Sequence, residues 1–468
     1  MVVPRFAGFR SSKNQKYMNV VKSDDEKIPN FVQYSSDNLA TSTTKFSFVA
    51  SHDTAKNLYH IVCIYNQKYL RAESSSSRWI CATALEPNED QSDWGCTLFR
   101  ITWGSTEQRY DLFHMYYGQP VDLKNDSSHP NCLYIYDQSS TIYNHSVLDW
   151  EVMSILPQHV VFKGDNNKYL KIHNQDSHDF LRFLLDDPQD SSVQQEVVIT
   201  SDGKIRIKGP NNKFWRASPN WIWIDSTDTS SNNQATVFQP CKISNNVICL
   251  RNLGNNMFCS RTSADWKESC LSANDHAMSN YSRLTVEEAV LSREIYNVQY
   301  RLSDGRIYGE NILAVDFQGA MNGSDEVNHM DFNFSYEEEE SQCWSSTVGM
   351  KLAYTMTIEA GIPLIMDTNI VMSGGISESY TWGQTNKKST PKKTPYSLEV
   401  QPRTSVKVSA MLTKGYCDVP FSYTQRDILV DGQTRITEHD DGLFTGFNCY
   451  NFHYQSEDVT SLSAPSSN

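Results

Sequence analysis

The sequence predicts an all-β protein in three parts: two β-trefoil domains in tandem, then a domain of longer antiparallel strands. Three observations predict it. A short word, two amides followed by Lys or Met and an aromatic, recurs at hairpin positions through the first 290 residues. Beyond Ser292 the word stops, and long runs alternate apolar and polar residues at period two. Helical periodicity is weak throughout, and the one short helix expected is a linker over Thr285–Ile295.

The repeat is clearest in the middle of the chain. VVFKGDNNKYLKI, IRIKGPNNKFWRA and ICLRNLGNNMFCSR each pair an alternating strand with a Gly/Asn turn and a second strand that opens on an aromatic. The aromatics Tyr169, Phe214 and Phe258 lie about 45 residues apart. Three hairpin units of that length close a trefoil around a shared core, in which these three aromatics are expected to pack. The first 150 residues repeat the word as Asn14-Gln15-Lys16-Tyr17-Met18 and Asn66-Gln67-Lys68-Tyr69-Leu70, with a blurred third copy near Tyr116-Tyr117-Gly118. The expected domains are therefore 1–152 and 153–290, joined across Leu148–Pro157, with a third domain over 291–468.

The third domain carries one segment of unusual pattern, Thr347 to Met372. Val348, Met350, Leu352, Tyr354, Met356 and Ile358 share one face, with Thr347, Gly349, Lys351, Ala353, Thr355, Thr357 and Glu359 on the other. A turn is expected at Ala360-Gly361-Ile362-Pro363. The return strand sets Leu364, Met366, Ile370 and Met372 on one face. Strands of about ten residues with one apolar face suit either a soluble sheet or a membrane β-barrel, which several hairpins would have to close together. Nearby, Glu337–Glu340 reads as a solvated strand edge or loop, and Lys387–Lys393 as a basic loop.

Composition excludes several classes. The 468 residues carry a net charge of −14, and from Leu291 onward 13 Lys and Arg face 23 Asp and Glu. Nucleic acid and anionic lipid both call for a basic surface, so neither is an expected partner. The 11 cysteines show no C-x-x-C spacing and are expected to be free, buried thiols, with no metal site. No secretory signal is visible at the N-terminus, so cytoplasmic residence is expected and the sequons at Asn144 and Asn333 read as chance. No H-E-x-x-H, phosphate-binding loop or G-x-S-x-G occurs, so neither catalysis nor a cofactor is expected.

Residues 10–290 resemble the amaranthin-like lectins. The resemblance rests on Asn66-Gln67-Lys68-Tyr69-Leu70, Trp79-Ile80, Ala84–Asp90 and Ser92–Phe99. In the second domain it rests on Phe162-Lys163-Gly164, Asn167–Leu170 and Asn212–Arg216. It implies tandem trefoils, a homodimer, and sites for a galactose–N-acetylgalactosamine disaccharide between the first trefoil of one subunit and the second of the other. The family's sugar-contacting loop maps to Ser75, Ser76, Ser77, Arg78 and Trp79. Serines and Arg78 supply hydroxyl-matching hydrogen bonds, and Trp79 supplies either a flat face for the sugar or a core residue. Here the sequence departs from the family, with Arg78 in place of an aromatic and serines in place of Pro-Asn-His. The equivalent loop of the second trefoil, Ser218, Pro219, Asn220 and Trp221, is a second candidate sugar site, with Ser218, Asn220 and Trp221 as its contacts. There Trp221 and Trp223 alternate with Ile222 on a face expected to be buried.

Residues 295–460 resemble the aerolysin-like, natterin-like pore-forming modules. The words are Ala360–Pro363, Ser379–Gly383, Lys414–Phe421, Tyr423–Asp427 and Asp431-Gly432. The resemblance implies an elongated, twisted antiparallel β-domain, a ring oligomer on a membrane, and conversion of the 347–372 hairpin into a barrel. The expected function is thus a non-enzymatic lectin for glycans or glycoproteins that targets a pore-forming module to membranes after activation, in defence or stress. The alternative is an intracellular lectin whose last domain only oligomerises.

Overall fold

The computed structural model describes residues 3–22, 27–53, 57–103, 109–137, 144–350, 352 and 355–459. Among them the fold is all-β, with short 3-10 turns as the helical elements. Two twelve-stranded sheets occupy the first 290 residues and an eight-stranded sheet follows.

The recurring word proves to be one turn built five times. In Asn14, Asn66, Asn166, Asn211 and Asn255 the side-chain oxygen accepts the backbone N–H two residues on, at 3.1–3.2 Å. The same side chain's amide donates across the hairpin to the carbonyl of Tyr34, Ala82, Phe183, Ile224 or Ala273. The next residue, Gln15, Gln67, Asn167, Asn212 or Asn256, adopts positive φ between 56° and 65°, a region amide side chains tolerate better than most. The blurred copy at Tyr116-Tyr117 closes its turn with Gly118 at φ 60°.

Directly after each turn the strand pairing slips by one, between Tyr17 and Met18, Tyr69 and Leu70, Tyr169 and Leu170, Phe214 and Trp215, and Phe258 and Cys259. A slip of one residue exchanges the faces of a strand. The residue after the aromatic therefore enters the main core: Met18 and Leu70 in the first domain, and Leu170, Trp215 and Cys259 in the second. This corrects the expected core triad. Tyr169 is buried in a side cluster, and Phe214 and Phe258 are half-buried.

Each domain folds its cap from three hairpins. In the second these are Tyr169–Gln175 with His178–Leu185, Phe214–Ser218 with Trp221–Ser226, and Phe258–Ala264 with Lys267–Asp275. They meet through Phe180↔Trp223, Arg182↔Cys270 and Trp221↔Ser272. Trp150 and Ile155 of the expected junction are buried with Tyr17 and Leu39, and Leu39 N–H donates to Ser201 O at 3.1 Å.

The expected linker helix is absent. Leu284–Glu288 and Val290–Tyr300 are strands. Leu284 and Val286 are buried two residues apart, which is the strand period. Lys387–Lys393 is likewise strand, inside Asn386–Val400, an end strand of its sheet. It pairs in register with the strand that holds Glu337–Glu340. Lys392 bridges Glu338 at 3.3 Å and Lys388 bridges Glu340 at 3.6 Å, so each charge run screens the other's repulsion. Pro391 and Pro395 fit an end strand, where a missing amide need not break a ladder.

The packing forms two compact units. One comprises Met1–Asn297, Ser346–Thr357 and Ser422–Gly442; the other comprises Val298–Ser345, Ile358–Phe421 and Leu443–Asn468. The first unit therefore takes in two stretches from beyond residue 291. Arg293 fixes one of them, pairing with Asp427 through bonds of 2.7 and 2.8 Å and with Glu288 at 2.5 Å. In the second unit Phe332, Phe334, Val400, Val406, Val408 and Ala410 form the core.

Nine of the eleven cysteines are buried, and Cys241 and Cys449 are half-buried.

Candidate functional site

The first-domain loop is a tight hairpin. Ser75 and Ser76 form the turn between Tyr69–Ser74 and Ser77–Ala84. Ser77 Oγ donates to Glu73 Oε2 at 2.6 Å, which stiffens the turn. Trp79 is half-buried and stands outside the main core. It packs on a small cluster of Val21, Ile28, Phe31 and Cys132. His129 stacks on its ring at 4.5 Å and 20°, Tyr134 meets it edge-on at 4.8 Å, and Lys124 Nζ lies 5.2 Å from the ring. Arg78 lies 5.1 Å over Tyr117 and pairs with Asp137.

Trp79 thus sits among His129, Tyr134 and Lys124, while Arg78, next to it on the strand, meets Tyr117 and Asp137, and Ser75 and Ser76 form the turn. Such a surface can hold a polyol by stacking its C–H face and bonding its rim. Reading the sequence missed His129, Lys124 and Tyr134, which come from another hairpin. The available signal was the alternation of Tyr134 and Tyr136 with the buried Leu133 and Ile135.

In the second domain Ser218 pairs with Trp221 across the two-residue turn Pro219-Asn220, and Asn220 O accepts Ala273 N–H at 2.6 Å. The expected burial is reversed. Ile222 and Ile224 are in the core, while Trp221 and Trp223 are half-exposed on the cap. Both rings are nevertheless occupied. His178 stacks on Trp223 at 3.8 Å and Arg216 lies 4.9 Å from the same ring. Lys267 Nζ sits 5.6 Å from Trp221. A third tryptophan of this cap, Trp266, is 99% exposed.

The 347–372 segment is only partly a hairpin. Its strands are Thr355–Met366 and Asn369–Thr381, so the turn falls at Asp367-Thr368. The expected turn at 360–363 is mid-strand. Gly361 lets the facing strand come close: a Cβ would lie 2.8 Å from Met372 Cε, the mobile end of an exposed side chain, and 3.2 Å from Ser373 O. Met356, Ile358 and Ala360 are buried at period two, but the parity then shifts to Pro363 and Ile365. Leu364 is half-buried, Ile370 is half-buried, and Met366 and Met372 are exposed. The single apolar face expected from Leu364, Met366, Ile370 and Met372 is therefore not continuous with that of the outgoing strand.

Residues 347–350 and 352 do not join the strand. Met350 N–H donates to Ile155 O at 2.8 Å, and Leu352, 8% exposed, enters the second-domain core with Met350 against it. Val348 packs on the Trp150 and Ile155 cluster, and Lys45 Nζ donates to Thr347 O at 2.6 Å. Tyr354, Lys351 and Ala353 lie outside the described residues.

Burial sets the titration of several histidines in the first unit. His114 is pushed down to about 4 by burial, and burial likewise lowers His60, His145 and His159. Among the described residues no group of His, Cys, Asp and Glu could hold a metal ion. Among them too, no helix is long and apolar enough to cross a membrane.

Compared with known proteins, the chain matches the agglutinin domain twice, over residues 1–146 and 154–287. No curated protein is similar enough in sequence to match it. Among solved structures it is similar to the lamprey immune protein, at 12% identity and a TM-score of 0.34, covering 66% of this chain and 93% of that one. It is similar to the hemolytic lectin CEL-III at 9% identity and 0.30, covering 95% and 93%. It is also similar to an aerolysin-like protein of Bombina maxima at 10% identity and 0.25, covering 35% and 98%. Likenesses this low carry no statement of what the chain binds. The two agglutinin matches together span more than half of the 468 residues, and the chain belongs to the agglutinin domain family, which it carries in tandem.

Proposed function

We propose that the chain is a non-enzymatic, glycan-binding lectin of two β-trefoil domains that addresses its long-stranded C-terminal region to glycan-bearing membranes. The observation that carries the reading is the cap around Trp79 within a domain of the agglutinin family: a half-exposed indole framed by His129, Tyr134 and Lys124. Galactose and N-acetylgalactosamine are the sugars the family resemblance suggests, bound by a homodimer. At the membrane the C-terminal region would assemble into a ring and turn the 355–381 hairpin into a barrel strand pair, as the aerolysin-like words suggest. The proposed setting is a cytoplasmic protein released in defence or stress.

One observation favours the second reading, a lectin whose last region only oligomerises. The start of the expected membrane segment is anchored in the lectin unit by Leu352 and Met350. Pore formation therefore requires that anchor to open.

The test of the lectin reading is Trp79→Ala. Because Trp79 lies outside the main core, the variant is expected to fold and to lose at least tenfold in affinity for a galactose–N-acetylgalactosamine disaccharide, about 1.4 kcal/mol. Unchanged affinity in the folded variant would remove the assignment.

A further inference from the structure

We propose that the second domain reads sugar with Trp266, at the tip of its third hairpin, and not with the expected Trp221. This rests on the lectin reading above and deepens it.

Trp266 departs from the ordinary in two independent ways. Its side chain is 99% exposed, and among the described residues no other tryptophan is as open. Its backbone is also in the left-handed region, with φ 61° after Asp265 at φ 49°. Turns of this kind are normally made by Gly, Asn or Asp, and a bulky side chain there is opposed sterically. Neither fold stability nor solubility explains a bare indole on a strained turn. Strain held at an exposed position points to a role in binding.

The surroundings hold the tip still and identify its partner. Gln175 Nε2, from the first hairpin, donates to Trp266 O at 3.2 Å. Lys267, the next residue, bridges Asp176 at 3.2 Å and lies over Phe180 and Trp221. Glu268 bridges Arg182 at 2.7 Å. The indole is thus presented on a braced turn flanked by two ion pairs, Lys267 with Asp176 and Arg182 with Glu268. A lipid surface or a protein hot spot would favour apolar companions, and the paired charges offer an anionic membrane no net positive patch. A neutral polyol fits: its C–H face stacks on the ring, and its hydroxyls donate to Asp176 and Glu268. The ligand class is therefore a neutral hexopyranose with one apolar face.

The experiment labels the full chain with 5-fluorotryptophan and follows its fluorine resonances while galactose, N-acetylgalactosamine, mannose and N-acetylglucosamine are added in turn. Trp266→Gly identifies the resonance of Trp266 and removes both ring and backbone strain. The expected result is that the Trp266 resonance moves with at least one sugar. Trp266→Gly should then lose that sugar's second-domain binding tenfold or more, with no loss of thermal stability. If other tryptophans respond while Trp266 does not, the proposal is overturned and the lectin reading stands. If no tryptophan responds and calorimetry shows no heat, the lectin reading fails and this proposal with it. If the Trp266 resonance moves only with phosphatidylcholine vesicles, the ring is a lipid anchor and the proposal is overturned.

Discussion

At the residue scale, the chain's most repeated feature is structural. Each asparagine that opens the recurring word satisfies one amide ahead of it and one carbonyl across the hairpin. Asn66→Ala, at a fully buried position, leaves the Ala82 carbonyl without that donor. It should cost about 1–3 kcal/mol in urea unfolding, against a few tenths for an exposed control such as Lys213→Ala. The word was legible in the sequence; its consequence was not. The slip behind each turn moves the core position by one residue, from Phe214 to Trp215, because pairing and not periodicity decides which side faces inward. Trp266 was invisible for a related reason, since φ is a property of the folded turn. Trp266→Gly should raise the stability of the chain by about 1 kcal/mol by relieving the left-handed strain, as read by the shift in urea midpoint.

At the scale of elements, the hairpins of the first 290 residues were legible because turn chemistry and alternation agree. Thr285–Ile295 and Lys387–Lys393 were misread because local sequence does not show a partner strand. The charge run of the second is matched by Glu337–Glu340, about fifty residues away. The same blindness affects the 347–372 segment, whose alternation continues through Leu352 although the strand begins only at Thr355. Leu352→Ala should therefore destabilise the lectin unit by about 2–4 kcal/mol, a core effect measurable without any membrane. Leu352→Arg would unfold it and say nothing about insertion. A cleaner test joins Met350→Cys to Ile155→Cys, whose backbones are already hydrogen-bonded across 2.8 Å. The disulfide should block any membrane leakage, and a reductant should restore it; leakage unaffected by the crosslink would show that leakage does not require the anchor to open.

At the scale of the whole molecule, the buried histidines give the lectin unit a direction of pH response. His60, His114, His145 and His159 are held neutral by burial, so their folded pKa values lie below the unfolded value. The unfolded chain binds more protons, and stability is complete above about pH 6.5 and lost as pH falls toward 4. His114 alone, lowered to about 4, accounts for a loss on the order of 3 kcal/mol. A melting temperature that stayed flat between pH 7 and 4.5 would show these side chains to be solvated. The change from short hairpins to longer strands was legible from where the word stops. What the sequence concealed is that residues 346–357 and 422–442 pack with the lectin unit. Under the proposed function, that packing makes release of the hairpin the step on which membrane action would depend. The most direct test of the proposed function is dye release from phosphatidylcholine vesicles with and without a galactose-terminated glycolipid. The account predicts release only from the glycolipid vesicles, inhibited by free galactose. Equal release from both kinds, or glycan binding without release from either, would contradict it.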